Sequence, residues 1–446
     1  MIPLLAFLFL AAVPASAAEG LPATVAAALG RSPALAGARA REREARAAGQ
    51  EAFYSRFPRL SAGASAMTGD DPLFAFGALL RERRVTQADF APGTLNRPGY
   101  RTSVRGGLEL GVPLFTGFEL TRARELAGLA EKEAAAWGGG TVQGVRLRAA
   151  DGHLRALKDR ALLAELEERI ASGLKAVQTA ERLAKQGLAL GSDHQAALAI
   201  LAGLKARRAR AAAEKAAHDA ELSVLTGKPR PEPAGTLRSW TPPLEEDEAL
   251  VAAALADRPD LHAARARVSQ AGVRERGAAE SLLPVVDAFA SVENSADGLN
   301  SGAASRLLGL RAKFAFGDPA YPSRRGRAKA AADAAGASRA QAEDEVRGEV
   351  LGRAAGLRGL IEALPSIEEA LTRARRSLDL VRPLYQEGRQ SVMEVLRAEE
   401  AVAQAQEARL EALYQLRAGW AALRAAQGRL GDADIAQIAR SLENAP

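Results

Sequence analysis

Cysteine is missing from all 446 residues, which excludes a disulfide framework, a thiolate metal site and a lipidated N-terminal cysteine. Aromatics make up 4% of the chain, fewer than a set of compact cores of this length would use. Beyond the first 18 residues no stretch approaches the roughly 20 apolar residues that a membrane-spanning helix needs, so a segment that spans a bilayer would have to be a β-barrel strand. Charge of one sign is not concentrated anywhere: 60 Lys and Arg stand against 54 acids, for a net +6. They alternate along helical stretches as solvated faces do, and a nucleic-acid-binding protein would cluster them. The four histidines, His153, His194, His218 and His262, lack ligand spacing and read as surface helix residues. No Ser-His-Asp order, phosphate-binding loop or paired-carboxylate segment stands out. No catalytic residue, cofactor or metal is therefore assigned, and the chain is not expected to be an enzyme.

What is present is Ala, Leu, Arg and Glu in proportions that favour long helices. Residues 1–18 read as a secretory signal, with an apolar run from Ile2 to Val13 and the cleavage pattern Ala15-Ser16-Ala17. The run has no Lys or Arg before it, unlike an ordinary signal. The remainder is a duplication. VAAALGRSPALAGARAR, from Val25, returns as VAAALADRPDLHAARAR, from Val251, a shift of 226 residues that keeps Pro33 with Pro259 and Pro58 with Pro284 in register. Ala-rich composition does not keep two prolines in step. Residues 19–227 and 246–431 are thus two copies of one unit. They are joined by a linker, 228–245, whose prolines cannot sit in a helix interior, and followed by a tail, 432–446.

Each copy carries two short alternating segments, read as strands over about 59–67, 103–115, 285–293 and 305–316. In the second, Val104, Leu108, Leu110, Val112 and Leu114 share one face, with Arg105, Gly107, Glu109 and Gly111 opposite. In the fourth, Leu308, Leu310, Ala312, Phe314 and Phe316 stand opposite Arg311 and Lys313. Apolar against charged faces in segments of about ten residues fit strands with lipid outside and water inside. A soluble hairpin capping a helical bundle would alternate too. Aromatic placement favours the membrane: 13 of the 17 Phe and Tyr lie between Phe53 and Phe118 or between Phe289 and Tyr321, as interface girdles do. Four strands cannot close a pore, and open sheet edges cannot face hydrocarbon, so such a barrel must be shared between chains. The hairpin loops, about 69–102 and 294–305, would face away from the helices. Arg105, Glu109, Arg311 and Lys313 are the candidate pore-lining charges.

Two stretches, Glu119 to Gln186 and Ser323 to Glu387, read as single helices that would each run on the order of 100 Å at 1.5 Å per residue. Leu147, Leu154, Leu157, Leu163, Leu166, Ile170, Leu174 and Val177 keep coiled-coil-like spacing, as do Leu410, Leu413, Leu416, Trp420 and Leu423. Gly138-Gly139-Gly140 is expected to bend or break the first helix, since each Gly costs about 1 kcal/mol relative to Ala.

With these features the chain resembles the TolC-like outer-membrane efflux proteins over essentially all of its mature length. The resemblance is carried by the duplicated helix starts, by VPLFTG from Val112 to Gly117 with its weaker copy KFAFG from Lys313 to Gly317, and by DPLFAFGALLRERRVTQADF, ending at Phe90, with LNRPG from Leu95 to Gly99. It implies a mainly α fold with a small β part: a homotrimer whose duplicated coiled-coil units form an α-helical barrel in the periplasm, continued by a shared 12-stranded β-barrel in outer-membrane lipid. It also implies docking to a periplasmic adaptor and, through it, to an inner-membrane pump of RND or ABC type, in efflux or type I secretion. The family's periplasmic tip, which gates the duct and docks the adaptor, corresponds to Gly187 with Asp193 and to Gly388 with Glu394, and Tyr385 fits as well. Arg397 stands where a second acid often occurs. The rival readings are a secreted periplasmic coiled-coil scaffold, which leaves the two-faced strands unexplained, and a basic nucleic-acid-binding helical protein, which leaves the signal unexplained.

Overall fold

The computed structural model describes residues 19–187, 190–299, 302–387 and 389–443; the signal segment and Gly388 lie outside them. Helix α1 (Leu21–Arg31) buries Leu21, Val25 and Ala28 on one face and stops before Pro33, where α2 (Pro33–Tyr54) starts. Helices α7 (Asp247–Asp257) and α8 (Pro259–Ala279) break in the same way before Pro259. The physical cause is shared: a proline disfavours helical backbone in the residue before it, and Ser32 (ψ 113°) and Arg258 (ψ 124°) both turn out of the helix. Strands β1 (Arg59–Gly69) and β3 (Val285–Ala296) then begin 226 residues apart.

The remaining elements are α3 (Pro72–Arg81), a 3₁₀ turn at Gln87–Phe90, α4 (Pro92–Asn96), β2 (Arg101–Thr116), α5 (Glu119–Lys185), α6 (Gly191–Thr226), β4 (Ala303–Lys313), α9 (Tyr321–Gln386), α10 (Val392–Ala426) and α11 (Asp432–Leu442). They form two compact units, and each draws on both sequence repeats. One comprises the chain up to Ala40, Ala135–Ala263 and Arg339 onward; the other comprises Arg41–Ala134 and Ala264–Ser338.

The first unit is helical. Its core gathers Leu21, Val25, Leu154, Leu157, Leu250, Leu261, Val350, Leu357, Leu413, Leu416 and Trp420. Two segments depart from the sequence reading here. The proline-rich stretch 228–245 is not a free linker: its backbone is held from both sides. Glu19 N–H donates to Glu232 O (2.8 Å), Ala234 N–H to Glu19 O (2.7 Å), and Trp420 Nε1–H to Pro243 O (3.1 Å). Within the stretch read as a tail, 432–442 forms α11, which sends Ile435, Ile438 and Leu442 into the core. Its first turn is capped by Asp434, which accepts from Gly431 N–H (2.9 Å).

The second unit holds the sheet, with all strands antiparallel in the order β1-β2-β3-β4. The β1–β2 connection, read as an outer loop, contains helices α3 and α4. Strand β4 ends at Lys313, so Phe314 and Phe316 follow the strand and are not part of it. A bulge between Pro113 and Phe115 shifts the β2–β3 register where the strand leaves the ladder.

Gly138-Gly139-Gly140 do not break α5, which runs unbroken for 67 residues. Gly139 and Gly140 lie against Pro259, and tertiary contact of this kind overrides their weak propensity. Helix α9 likewise continues through Pro365 and Pro383. Among the described residues no helix is long and apolar enough to cross a membrane, which has no bearing on a β-barrel.

Candidate pore lining and helix tips

The ladder register places Arg105 and Glu109 on one face of the sheet, because Arg105 lies opposite Ser65 and Ser295, and Glu109 opposite Ser61 and Ser291. Two-residue steps along β3 carry that face to Asp287, which lies opposite Arg311, with Lys313 one step beyond. All four candidate charges therefore share one face. Two acids that the sequence reading passed over, Asp287 and Glu293, share it as well. Arg105 Nη1 is 3.9 Å from Glu293 Oε1 and its Nη2 is 3.5 Å from Met67 Sδ. Arg311 lies over the Phe289 ring at 5.0 Å, and Gly309 opposite leaves the room this needs. The other face carries Leu60, Ala62, Ala64, Val104, Leu108, Leu110, Val292, Leu308 and Leu310, with Arg306, opposite Val292 near the start of β4, as the one charge on it among the described residues. Leu308 is 81% exposed and Leu310 72%, so this apolar surface is uncovered in one chain. Strand alternation was enough to find the two faces. Asp287 and Glu293 are single charges in a β3 otherwise rich in Ala and Val, and pairing with β2 and β4 is what reveals their side.

In the helical unit the two hairpin turns come together. Leu183, near the end of α5, packs with Leu378 and Tyr385 of α9 and Val392, Val395 and Leu396 of α10. Gly187 takes φ +71°, a left-handed conformation that glycine adopts without a Cβ clash. Asp193 lies in the first turn of α6, and Glu394 in the first turn of α10, which Ser391 caps by accepting from Met393 N–H (3.1 Å). Burial, and then the nearby Asp193 carboxylate, raise the Tyr385 hydroxyl above its usual range. Its oxygen has no hydrogen-bond partner among the described residues. Arg397 pairs with Glu394 at 2.8 Å, so this acid is already partly neutralised.

Sequence reasoning missed a polar layer between α5, α6, α9 and α10. A cavity of ≈ 300 Å³ there is lined by Glu165, Arg169, Arg375, Arg382, Glu399 and Glu400 among others. Arg169 donates to Ala403 O (2.9 Å) and Gln406 Oε1 (3.0 Å). Burial pulls its guanidinium down and pushes the Glu165 carboxyl up. The only sequence signal was the Glu165/Arg169 spacing of four on an otherwise apolar stripe. The surface reading of the histidines holds for His262, which is exposed, and fails for His153. His153 is fully buried, between Thr24 Oγ1 (2.9 Å) and Ala234 O (3.1 Å), and His218 Nδ1 is 2.6 Å from Asp159 Oδ2.

A small antiparallel sheet with one charged and one apolar face, joined to two helical hairpins over a duplicated chain, is the fold of outer-membrane channel proteins. Residues 250–429 match the family model described as outer membrane efflux protein, so the chain resembles the TolC-like efflux proteins in sequence over its second repeat and in fold over nearly all of its length. Solved structures with this fold include the outer membrane protein VceC of Vibrio cholerae, at 21% identity and TM-score 0.78 over 92% of this chain and 96% of that one. The outer-membrane channel OprN shares 22% identity, with TM-score 0.77 over 92% and 90%. The Campylobacter jejuni CmeC outer membrane channel shares 15%, with TM-score 0.80 over 95% and 90%. No curated protein matches significantly.

Proposed function

We propose that this chain is the outer-membrane channel of a tripartite efflux or type I secretion system. It would work as a passive duct that carries cargo from a periplasmic adaptor and an inner-membrane pump to the exterior, without catalysis of its own. The observation that carries the reading is the two-faced sheet with two open edges. Strands β1 and β4 are each paired on one side only. In hydrocarbon an unpaired backbone N–H or C=O costs several kcal/mol, so β4 of one chain must meet β1 of another. Three chains of four strands close a twelve-stranded barrel, with the leucine face toward lipid and the charged face toward water. The helical unit then lies in the periplasm. Arg105, Glu109, Arg311 and Lys313 line the pore with Asp287 and Glu293, and the tip formed by Gly187, Asp193, Tyr385, Gly388 and Glu394 gates it and meets the adaptor. A soluble scaffold has no use for an uncovered leucine face.

Single-channel recording in a planar bilayer tests this, with an Arg311→Glu, Lys313→Glu double variant alongside. The expected outcome is discrete conductance in both proteins and a reversal potential displaced toward cation preference in the variant. Failure of well-folded trimers to insert would remove the membrane assignment of the strands.

A further inference from the structure

We propose that a groove between α8 and α9, in the unit that holds the sheet, binds the phosphate-bearing headgroup of an anionic phospholipid at the periplasmic leaflet. The proposal rests on the channel reading above. The groove, ≈ 690 Å³, is walled by small apolar residues, Ala271, Ala328 and Ala331, and rimmed by Arg274, Arg324 and Arg327. Its one acid, Glu133, is engaged by Arg267 (2.6 Å) and by Gln270 Nε2 (2.8 Å). Arg324 is held by Asp318, while among the described residues Arg274 reaches only Gln270 Oε1 at 3.3 Å. Arg327 makes no ion pair among the described residues, and neither do its exposed neighbours Arg325 and Lys329. From Tyr321 to Ala332, α9 carries four cations and no acid.

Two further observations favour lipid over a soluble anion. Between the exposed leucines of β4 and this cluster stand Phe314 and Phe316, stacked at 5.8 Å and exposed to 55% and 89%. Aromatics in such a position mark a membrane interface, and cations just beyond it attract anionic headgroups. The first repeat supplies the contrast. After β2 the first cations of α5 are already engaged, Arg122 by Glu280 and Gly117 O, and Arg124 over the Phe53 ring at 5.3 Å. Apolar walls beneath a cationic rim suit a molecule with a phosphate head and a hydrocarbon body.

The test uses the full-length protein in lipid discs of phosphatidylcholine with a minor share of phosphatidylglycerol, measuring the lipids retained after mild stripping. Phosphatidylglycerol is expected to be enriched several-fold over its bulk share in the wild type. It should fall to the bulk share in Arg274→Gln, Arg327→Gln and stay enriched in the control Arg373→Gln. Should the double variant fail to fold, Arg325→Gln, Lys329→Gln is expected to lower the enrichment partially. The proposal is overturned by absence of enrichment, by enrichment unchanged in the variants, or by full displacement of the lipid by inorganic phosphate, which would make this a free-anion site. Single-channel recording in pure phosphatidylcholine keeps the two readings apart: conductance without enrichment defeats the lipid site alone, and absence of conductance defeats the channel reading.

Discussion

Arg417 is buried in α10 without an acidic partner among the described residues, and it is satisfied almost entirely by backbone. It donates to Leu413 O (3.0 Å), Arg238 O (2.9 Å), Ser441 O (2.9 Å) and Ser441 Oγ (2.9 Å), and it lies by the Trp240 ring at 5.4 Å. One planar cation thereby ties the proline-rich stretch and α11 to the core, a fork of donors that lysine cannot reproduce. Burial brings its guanidinium down to about 10, so it stays charged at neutral pH. Arg417→Met is expected to cost about 3 kcal/mol by leaving buried carbonyls unpaired, read as a lower thermal midpoint and faster proteolysis between Thr226 and Pro243. His153 gives a pH signature. Ala234 O can only accept, so Nε2–H donates to it and Nδ1 takes the Thr24 hydroxyl proton. Burial lowers the imidazole to about 4 from 6.5. The unfolded chain binds this proton at higher pH than the folded one, so the stability is intact above about pH 6.5 and drains as pH falls toward 4, by on the order of 3 kcal/mol. His153→Gln should flatten that part of a melting-temperature profile against pH while lowering its neutral plateau.

The long helices owe their continuity to neighbours as much as to propensity. A Cβ on Gly138 would meet nothing within 4 Å, and one on Gly139 would meet Pro259 Cγ at 3.6 Å, an ordinary contact. Gly138→Ala is therefore expected to stabilise the helix by about 0.5–1 kcal/mol, seen as a raised midpoint in thermal unfolding. A bend that the proposed channel requires at this point would reverse the sign. At the tip, the buried Tyr385 hydroxyl makes no hydrogen bond among the described residues, so Tyr385→Phe should leave stability within about 1 kcal/mol of the wild type. A larger loss would reveal a partner outside this single chain.

For the whole molecule, the open edges of β1 and β4 make assembly the condition for the closed pore proposed above, and heat-labile trimers on a denaturing gel are the outcome that reading expects. The sequence by itself determined much of this protein: the duplication, the two-faced strands and the long helices. These are written in local patterns, a period of two and a period near three and a half, and in prolines kept in register. Only the tertiary structure decided that 228–245 and 432–442 belong to the core, that α5 passes through three glycines, that His153 is buried, and that Asp287 and Glu293 share the charged face. Each of these depends on what lies opposite in space: a carbonyl for Arg417, a proline against glycine, a paired strand that assigns a lone acid its side. Contacts between residues distant in sequence leave no periodic mark in a single chain, and for that reason the pattern gave the elements while packing gave their neighbours.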